Sequence, residues 1–325
     1  MSHSEEQLRE ERRAAGFAVG VIQSTIESLA EPGRRLPTAI WYPALPVDGS
    51  PERAKHPLGL RHDAVPALPP IDATCPLVVF SHGNSGYREQ STFLTTQLAR
   101  AGFVVAAPDH VGNTFPEMLA LEGETARQAL HRTIRRQRPL DLLGVVRALL
   151  DGDAGPGEPA RPTPLPRLDP TRVGALGHSF GGWSALKLAA LEPRIRGICA
   201  LAPVAEPFVG RGAFLPGELP LPDGVRSLVL AARDDVLVDL ETSLLPLFER
   251  LGPDAVLEIL DDTDHFHFCD GIELLHAMHE KNPRPGQRRP TRPFGELRGE
   301  RETQTLVAHH ALDFFERHLR RGSAA

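Results

Sequence analysis

Lysine is nearly missing from this 325-residue chain: Lys55, Lys187 and Lys281 are the only lysines among 36 basic residues. Against 42 acidic residues the formal net charge is −6, and no dense basic face offsets it, which argues against a nucleic-acid partner. Cysteine is as scarce. Cys75, Cys199 and Cys269 are odd in number and far apart, with neither a CxxC motif nor a secreted disulfide framework, so a reducing cytoplasm is the expected compartment. No apolar run approaches the ~20 residues that span a bilayer, and no amphipathic docking helix stands out, so stable membrane association is not expected. The leading MSHSEEQLREERRAAG has no apolar stretch of the secretory kind. Arginine and the 31 prolines are in surplus instead, and they read as compositional bias more than as a binding surface.

What the chain does have is a rhythm of short β-rich runs followed by helical patterns. Strands are expected at Phe17–Ile22, Thr38–Tyr42, Leu77–Ser81, Phe103–Ala107, Val173–Gly177, Gly197–Leu201, Ser227–Ala232 and Val256–Leu260. Several are nearly continuous apolar runs, as in a sheet buried on both faces. Helices are expected at Gln90–Arg100, Leu140–Leu150, Gly182–Leu191, Val238–Leu251 and Gln304–Leu319. Strand alternating with helix means a mostly parallel sheet covered on both sides, here with eight strands. The first two strands lack a helix between them and should form an antiparallel lead-in. Gly155–Pro170 reads as an exposed proline-rich loop, and residues 206–223 and 270–301 as lid or insertion segments of one domain spanning 1–325.

The strongest chemical signal is Gly177-His178-Ser179-Phe180-Gly181, followed by Gly182. It ends the run RVGALG and opens the helical pattern GGWSALKLAALE, the strand–turn–helix context of a nucleophile elbow. Without that context, a glycine-rich turn whose serine caps a helix would explain it equally well. With RRLPTAIWYPA (34–44), PLVVFSHGNSGYREQ (76–90) and LARAGFVVAAPDHVGNT (98–114), the chain resembles the α/β-hydrolases, more narrowly the platelet-activating-factor acetylhydrolase and dienelactone-hydrolase-like esterases. The resemblance implies an α/β-hydrolase fold, a serine carboxylic-ester hydrolase working through an acyl-enzyme, and no cofactor or metal. Dienelactone hydrolases use a cysteine nucleophile, so Ser179 sets this chain apart from them.

Acyl transfer needs donors aimed at the oxygen that turns negative, each worth roughly 10²–10³ in rate. The N–H of Phe180, the residue after the nucleophile, is one candidate. The other lies in His82-Gly83-Asn84-Ser85-Gly86, where the resemblance implies Asn84, with Ser85 second; His82 itself is expected to pack. The order Ser, acid, His puts the base late in the chain. His265 follows a strand and a polar turn, with His267 as runner-up, while His276, His279, His309, His310 and His318 fall in helical patterns. A neutral imidazole accepts the serine proton near neutral pH. The acid candidates are Asp235, then Asp234, after the strand Ser227–Ala232; Glu206 is the alternative, because acetylhydrolases carry their acid after the preceding strand.

Other readings carry less of the pattern. In DDTDHFHFCD the residues His265, His267 and Cys269 alternate, and on a strand they would share one face as metal ligands. Neither GxGxxG nor a phosphate-binding glycine loop occurs. A thioesterase, phospholipid acetylhydrolase, peptidase or amidase on the same fold shares the triad, and a catalytically silent binding module shares the fold. The expected partner is a small soluble ester.

Overall fold

Strands β1 (Ala18–Glu27), β2 (Arg35–Ala44), β3 (Val65–Pro66), β4 (Thr74–Ser81), β5 (Val104–Pro108), β6 (Arg167–His178), β7 (Ile195–Leu201), β8 (Arg226–Ala232) and β9 (Ala255–Leu260) form one sheet. Their order is β3-β1-β2-β5-β4-β6-β7-β8-β9. The computed structural model describes residues 16–49, 51–152, 162–206, 208–281 and 290–320. From β5 to β9 neighbouring strands are parallel, whereas β1 and β2 are antiparallel to each other and β2 to β5. The sheet therefore has nine strands where eight were expected. The extra one, β3, is a two-residue parallel rung on β1, too short to leave a periodic signal.

Two other boundaries differ for physical reasons. Strand β6 begins at Arg167, not Val173, because Arg167 and Leu168 already pair with β4 through Thr74↔Arg167 and Cys75↔Leu168, ahead of the polar DPTR segment where the register shifts. The end of the presumed loop Gly155–Pro170 is thus strand, and its stretch 153–161 lies outside the described residues. Helices are α1 (Thr92–Arg100), α2 (Phe115–Leu119), α3 (Glu124–Leu150), α4 (Phe180–Leu188), α5 (Leu245–Leu251), α6 (Ile272–Lys281) and α7 (Glu300–Phe315). Helix α3 runs 27 residues through Pro139, although a proline normally marks a helix start. Its first half is polar on most faces and left no apolar stripe to read.

Side chains alternate across the sheet, so each strand feeds two cores. Leu77, Val79, Val173, Ala175 and Ile198 pack toward α3 and α4, with Leu142, Val146 and Leu186. Val78, Phe80, Leu176, Cys199 and Leu230 pack toward α1 and α7, with Leu94, Leu98, Val307 and Phe315. Helices thus cover both faces. From β4 the chain goes to β5 on one side and later to β6 on the other. Open α/β sheets bind ligands beyond the carboxyl ends of strands at such a reversal. Register Ser81↔Gly177 brings the ends of β4 and β6 level there.

Candidate active site

Ser179 sits one residue beyond β6 with φ 55° and ψ −116°, a left-handed conformation that costs a non-glycine residue energy. Close packing enforces the turn. A Cβ on Gly177 would lie 2.2 Å from the Gly181 carbonyl oxygen, and one on Gly181 would lie 1.9 Å from the Ser81 carbonyl oxygen. Both glycines of G-x-S-x-G are therefore sterically required. Ser179 N–H donates to Leu201 O at 2.8 Å, and the next residue opens α4, where N–H groups lack helical acceptors.

His265 and Asp235 meet from different loops, the first after β9 and the second after β8. His265 Nδ1 lies 2.7 Å from Asp235 Oδ2, and the residues are 6% and 1% exposed. The other carboxylate oxygen, Oδ1, accepts the N–H groups of Leu237 and Val238, each at 2.8 Å, which locks the carboxylate toward the ring. With Nδ1–H on Asp235, the lone pair of the neutral imidazole is on Nε2. The rival acids lie elsewhere: Asp234 pairs with Arg292 at 3.0 Å and Glu206 with Arg250 at 3.3 Å. His267 is engaged by Asp264 Oδ1 at 2.7 Å and donates from Nε2 to Arg298 O at 3.0 Å. His265–Phe268 is a 3₁₀ turn rather than a strand, so His265, His267 and Cys269 do not share one face and each has different neighbours.

The loop after β4 lies alongside. Gly83 N–H is taken by Gln90 Oε1 at 2.9 Å. Among the described residues no protein acceptor takes the N–H of Asn84, Ser85 or Phe180. Of these three residues, Asn84 and Phe180 line a common cleft. His82 packs, as expected: fully buried, it touches Gly83 O through Nδ1 at 2.7 Å and accepts the His110 N–H on Nε2 at 3.0 Å. Burial first, and then Arg138 and His110, hold it neutral, well below the ordinary histidine pKa.

Four residues that hold this arrangement have no place in the sequence reading. Gln90 donates from Nε2 to His178 Nδ1 at 3.0 Å while accepting Gly83 N–H, tying the loop to the elbow. His178 in turn donates from Nε2 to His265 O at 2.9 Å, and the rings stand 4.6 Å apart. Arg138 is completely buried under the loop; its guanidinium donates to Asn113 Oδ1 at 2.6 Å, to Ser81 and Ser184 Oγ at 3.1 Å, and to the His82 carbonyl. Asn113 passes the contact on, donating to Asn84 Oδ1 at 2.9 Å. Only His178, as the x before the serine, had any sequence signal.

The two suspected insertions part company here. Phe208, Val209 and Gly210 of 206–223 line the cleft beside Asn84 and Phe180, whereas no described residue of 270–301 does. The latter segment backs the histidine loop instead, with Phe294 stacked 6.1 Å from His267 and Arg292 on Asp262 at 2.9 Å.

Residues 65–126 match the model of the family platelet-activating factor acetylhydrolase, isoform II. Lipase 1 of Moraxella sp. (strain TA144) is 32% identical over 115 residues, which are 35% of this chain and 32% of that one. The match thus spans about a third of the length of that relative. A solved structure of a ferulic acid esterase from Streptomyces cinnamoneus superposes with a TM-score of 0.67 at 24% identity, over 95% of this chain and 92% of that chain. Among the described residues no helix is long and apolar enough to cross a membrane. The chain has the α/β-hydrolase fold, and across the segment that carries the β4 loop it is similar to the platelet-activating factor acetylhydrolase family.

Proposed function

We propose that this chain is a serine hydrolase of carboxylic esters. Ser179 attacks the ester carbonyl, His265 Nε2 takes its proton, and Asp235 orients the imidazole and stabilises its charged form. The N–H groups of Asn84 and Phe180 hold the oxyanion. The protonated His265 then donates to the leaving alcohol, and water, deprotonated by the same nitrogen, cleaves the acyl-enzyme. The reading needs no cofactor or metal. It takes the chain as one catalytic domain acting on small soluble esters, in a reducing cytoplasm that suits three free cysteines.

The observation that carries it is the His265–Asp235 pair at 2.7 Å, held one residue from the strained Ser179 through His178. A carboxylate fixed by two backbone N–H groups and aimed at a histidine beside an elbow serine is the geometry that nucleophilic acyl transfer requires. The names of the relatives agree in kind, since an acetylhydrolase, a lipase and an esterase all act on acyl esters.

The test is covalent. A fluorophosphonate probe should label the folded wild type on Ser179, the Ser179→Ala protein should not be labelled, and p-nitrophenyl esters from acetate upward should be turned over. A folded wild type that is neither labelled nor active removes the reading.

A further inference from the structure

The cleft that opens from Asn84 and Phe180 has a volume of about 670 Å³, and the polar half of α3 forms one wall. That wall presents Arg127, Arg132 and Arg135, and among the described residues no acidic side chain lines the cleft. None of the three arginines forms an ion pair among the described residues. Arg135 donates to Val209 O at 2.9 Å, and Arg127 reaches Leu121 O at 3.4 Å. Several arginines elsewhere grip carboxylates, as Arg34 does Asp141, Arg172 Asp169 and Arg194 Glu192, all within 2.9 Å. Here three guanidinium groups without acids among the described residues face one cleft.

A second observation lies in the same wall. His131 stacks on Phe180 with ring centroids 5.4 Å apart, and its Nε2 is buried without a hydrogen-bond partner. A buried polar atom left unpaired costs stability unless something else satisfies it, and His131 is one of the residues that line the cleft.

We propose that this cleft receives the carboxylate of an anionic ester, held by Arg127, Arg132 and Arg135, while the ester group faces Ser179. The inference rests on the ester-hydrolase reading and adds its substrate class. A guanidinium fork matches a carboxylate with two parallel N–H donors, which a point charge cannot do. The free acid lies on the acyl side in a half-ester of a dicarboxylic acid and on the alcohol side in an ester of a hydroxy acid. The recognising chemistry is the same, and the substrates separate the two.

Two matched pairs test it. The acyl pair is the p-nitrophenyl monoester of glutaric acid against p-nitrophenyl valerate. The alcohol pair is the butyrate ester of 4-hydroxybenzoic acid against that of 4-hydroxybenzamide. In one pair the wild type should favour the anion by about tenfold or more in kcat/KM, the size of one good charge-assisted contact. Added salt should erode the preference, since the arginines are near solvent. In Arg127→Gln/Arg132→Gln the ratio should fall toward one, and the pair that responds identifies the side. A ratio near one in both pairs, or a ratio that the arginine variant leaves in place, overturns the inference while the hydrolase reading stands. If the wild type cleaves none of the four, the fluorophosphonate probe decides on the hydrolase reading, and calorimetry with monomethyl glutarate decides on the cleft. Binding that salt weakens and the double variant loses supports it; no binding overturns it.

Discussion

The proposed triad has a buried twin. Ser81 Oγ lies 2.8 Å from His110 Nε2, and His110 Nδ1 lies 2.9 Å from Asp141 Oδ2, the same atom pairing as His265 Nδ1 on Asp235 Oδ2 at 2.7 Å. Residue types and the histidine–aspartate distances do not separate the two; surroundings do. Ser81, His110 and Asp141 are all 0% exposed, and Ser81 ends a regular strand with no strained turn. Its hydroxyl also accepts from Arg138, and Asp141 is clamped by Arg34 through two hydrogen bonds, at 2.9 and 3.0 Å. Every atom a nucleophilic serine needs free is engaged. Ser179 instead has a positive φ, 7% exposure and the start of a helix behind it. A serine–histidine–aspartate arrangement is a site only where substrate can reach the oxygen and donors face the developing charge.

Removing each serine should break the symmetry furthest. Ser179→Ala is expected to lower kcat/KM on p-nitrophenyl butyrate by about 10⁴–10⁶ with an unchanged urea midpoint. Ser81→Ala should do the reverse. It strips partners from His110 and Arg138, costing roughly 1–3 kcal/mol in urea unfolding, with activity down by less than about tenfold. Equal losses of activity in the two variants would erase the distinction.

The acids sharpen it next. Asp235→Asn should retain stability and lose about 10⁴ in kcat, because the histidine is held in the wrong tautomer. Glu206→Gln and Asp234→Asn should stay within about twofold of wild type. Asp141→Asn leaves half-buried Arg34 and buried His110 without their carboxylate and should cost about 3–5 kcal/mol of stability. If Glu206→Gln were the severe variant, the acid assignment would move to the loop after β7.

The contrast also marks what the sequence could carry. Eight strands were legible because apolar runs in a doubly covered sheet hardly depend on partners. The elbow was legible because Gly177 and Gly181 answer a steric demand local to five residues. His265 and Asp235, which meet at 2.7 Å, were reachable through chain order, since each directly follows a readable strand. Arg138 and Gln90 were not reachable. Arg138 lies in a polar helical half whose buried side no periodicity reveals, and its acceptors come from β4, the loop before α2 and α4. Gln90 matters through one carboxamide that touches both Gly83 and His178. Such roles are set by tertiary neighbours, and a stretch of sequence does not record them.

Arg138 links the twin to the working site, so its loss should fall between the two sets of effects. It grips the His82 carbonyl and, through Asn113, the side chain of Asn84. Arg138→Met should let the loop relax and lower kcat by roughly ten- to a hundredfold, with KM changing less, because an oxyanion donor acts only in the transition state. Affinity for a boronate analogue should fall in step with kcat, which a purely global loss of stability would not produce.

Acid gives the smallest effect and separates the members of the buried twin from each other. Burial, reinforced by the nearby Arg138 cation, pushes His110 down to about 4. An unfolded imidazole titrates near 6.5, so between these values the unfolded chain binds more protons. Stability must then rise with pH across that window and be lost as pH falls from about 6.5 toward 4. Asp141 behaves otherwise. Burial alone would raise its pKa, but the hydrogen bonds from Arg34 and His110 outweigh it and hold it at about 2. Its contribution is complete above the ordinary carboxylate range and disappears only as pH drops from about 4 to 2. Thermal melts should therefore fall by on the order of 5 °C between pH 6.5 and 4. His110→Asn should lessen that first descent, to which the buried His62, His82 and His178 also contribute, and leave in place whatever loss appears below pH 4. A variant whose melting profile between pH 6.5 and 4 matches the wild type would show that folding leaves the proton affinity of His110 unchanged, which rules out a neutral imidazole locked into the twin.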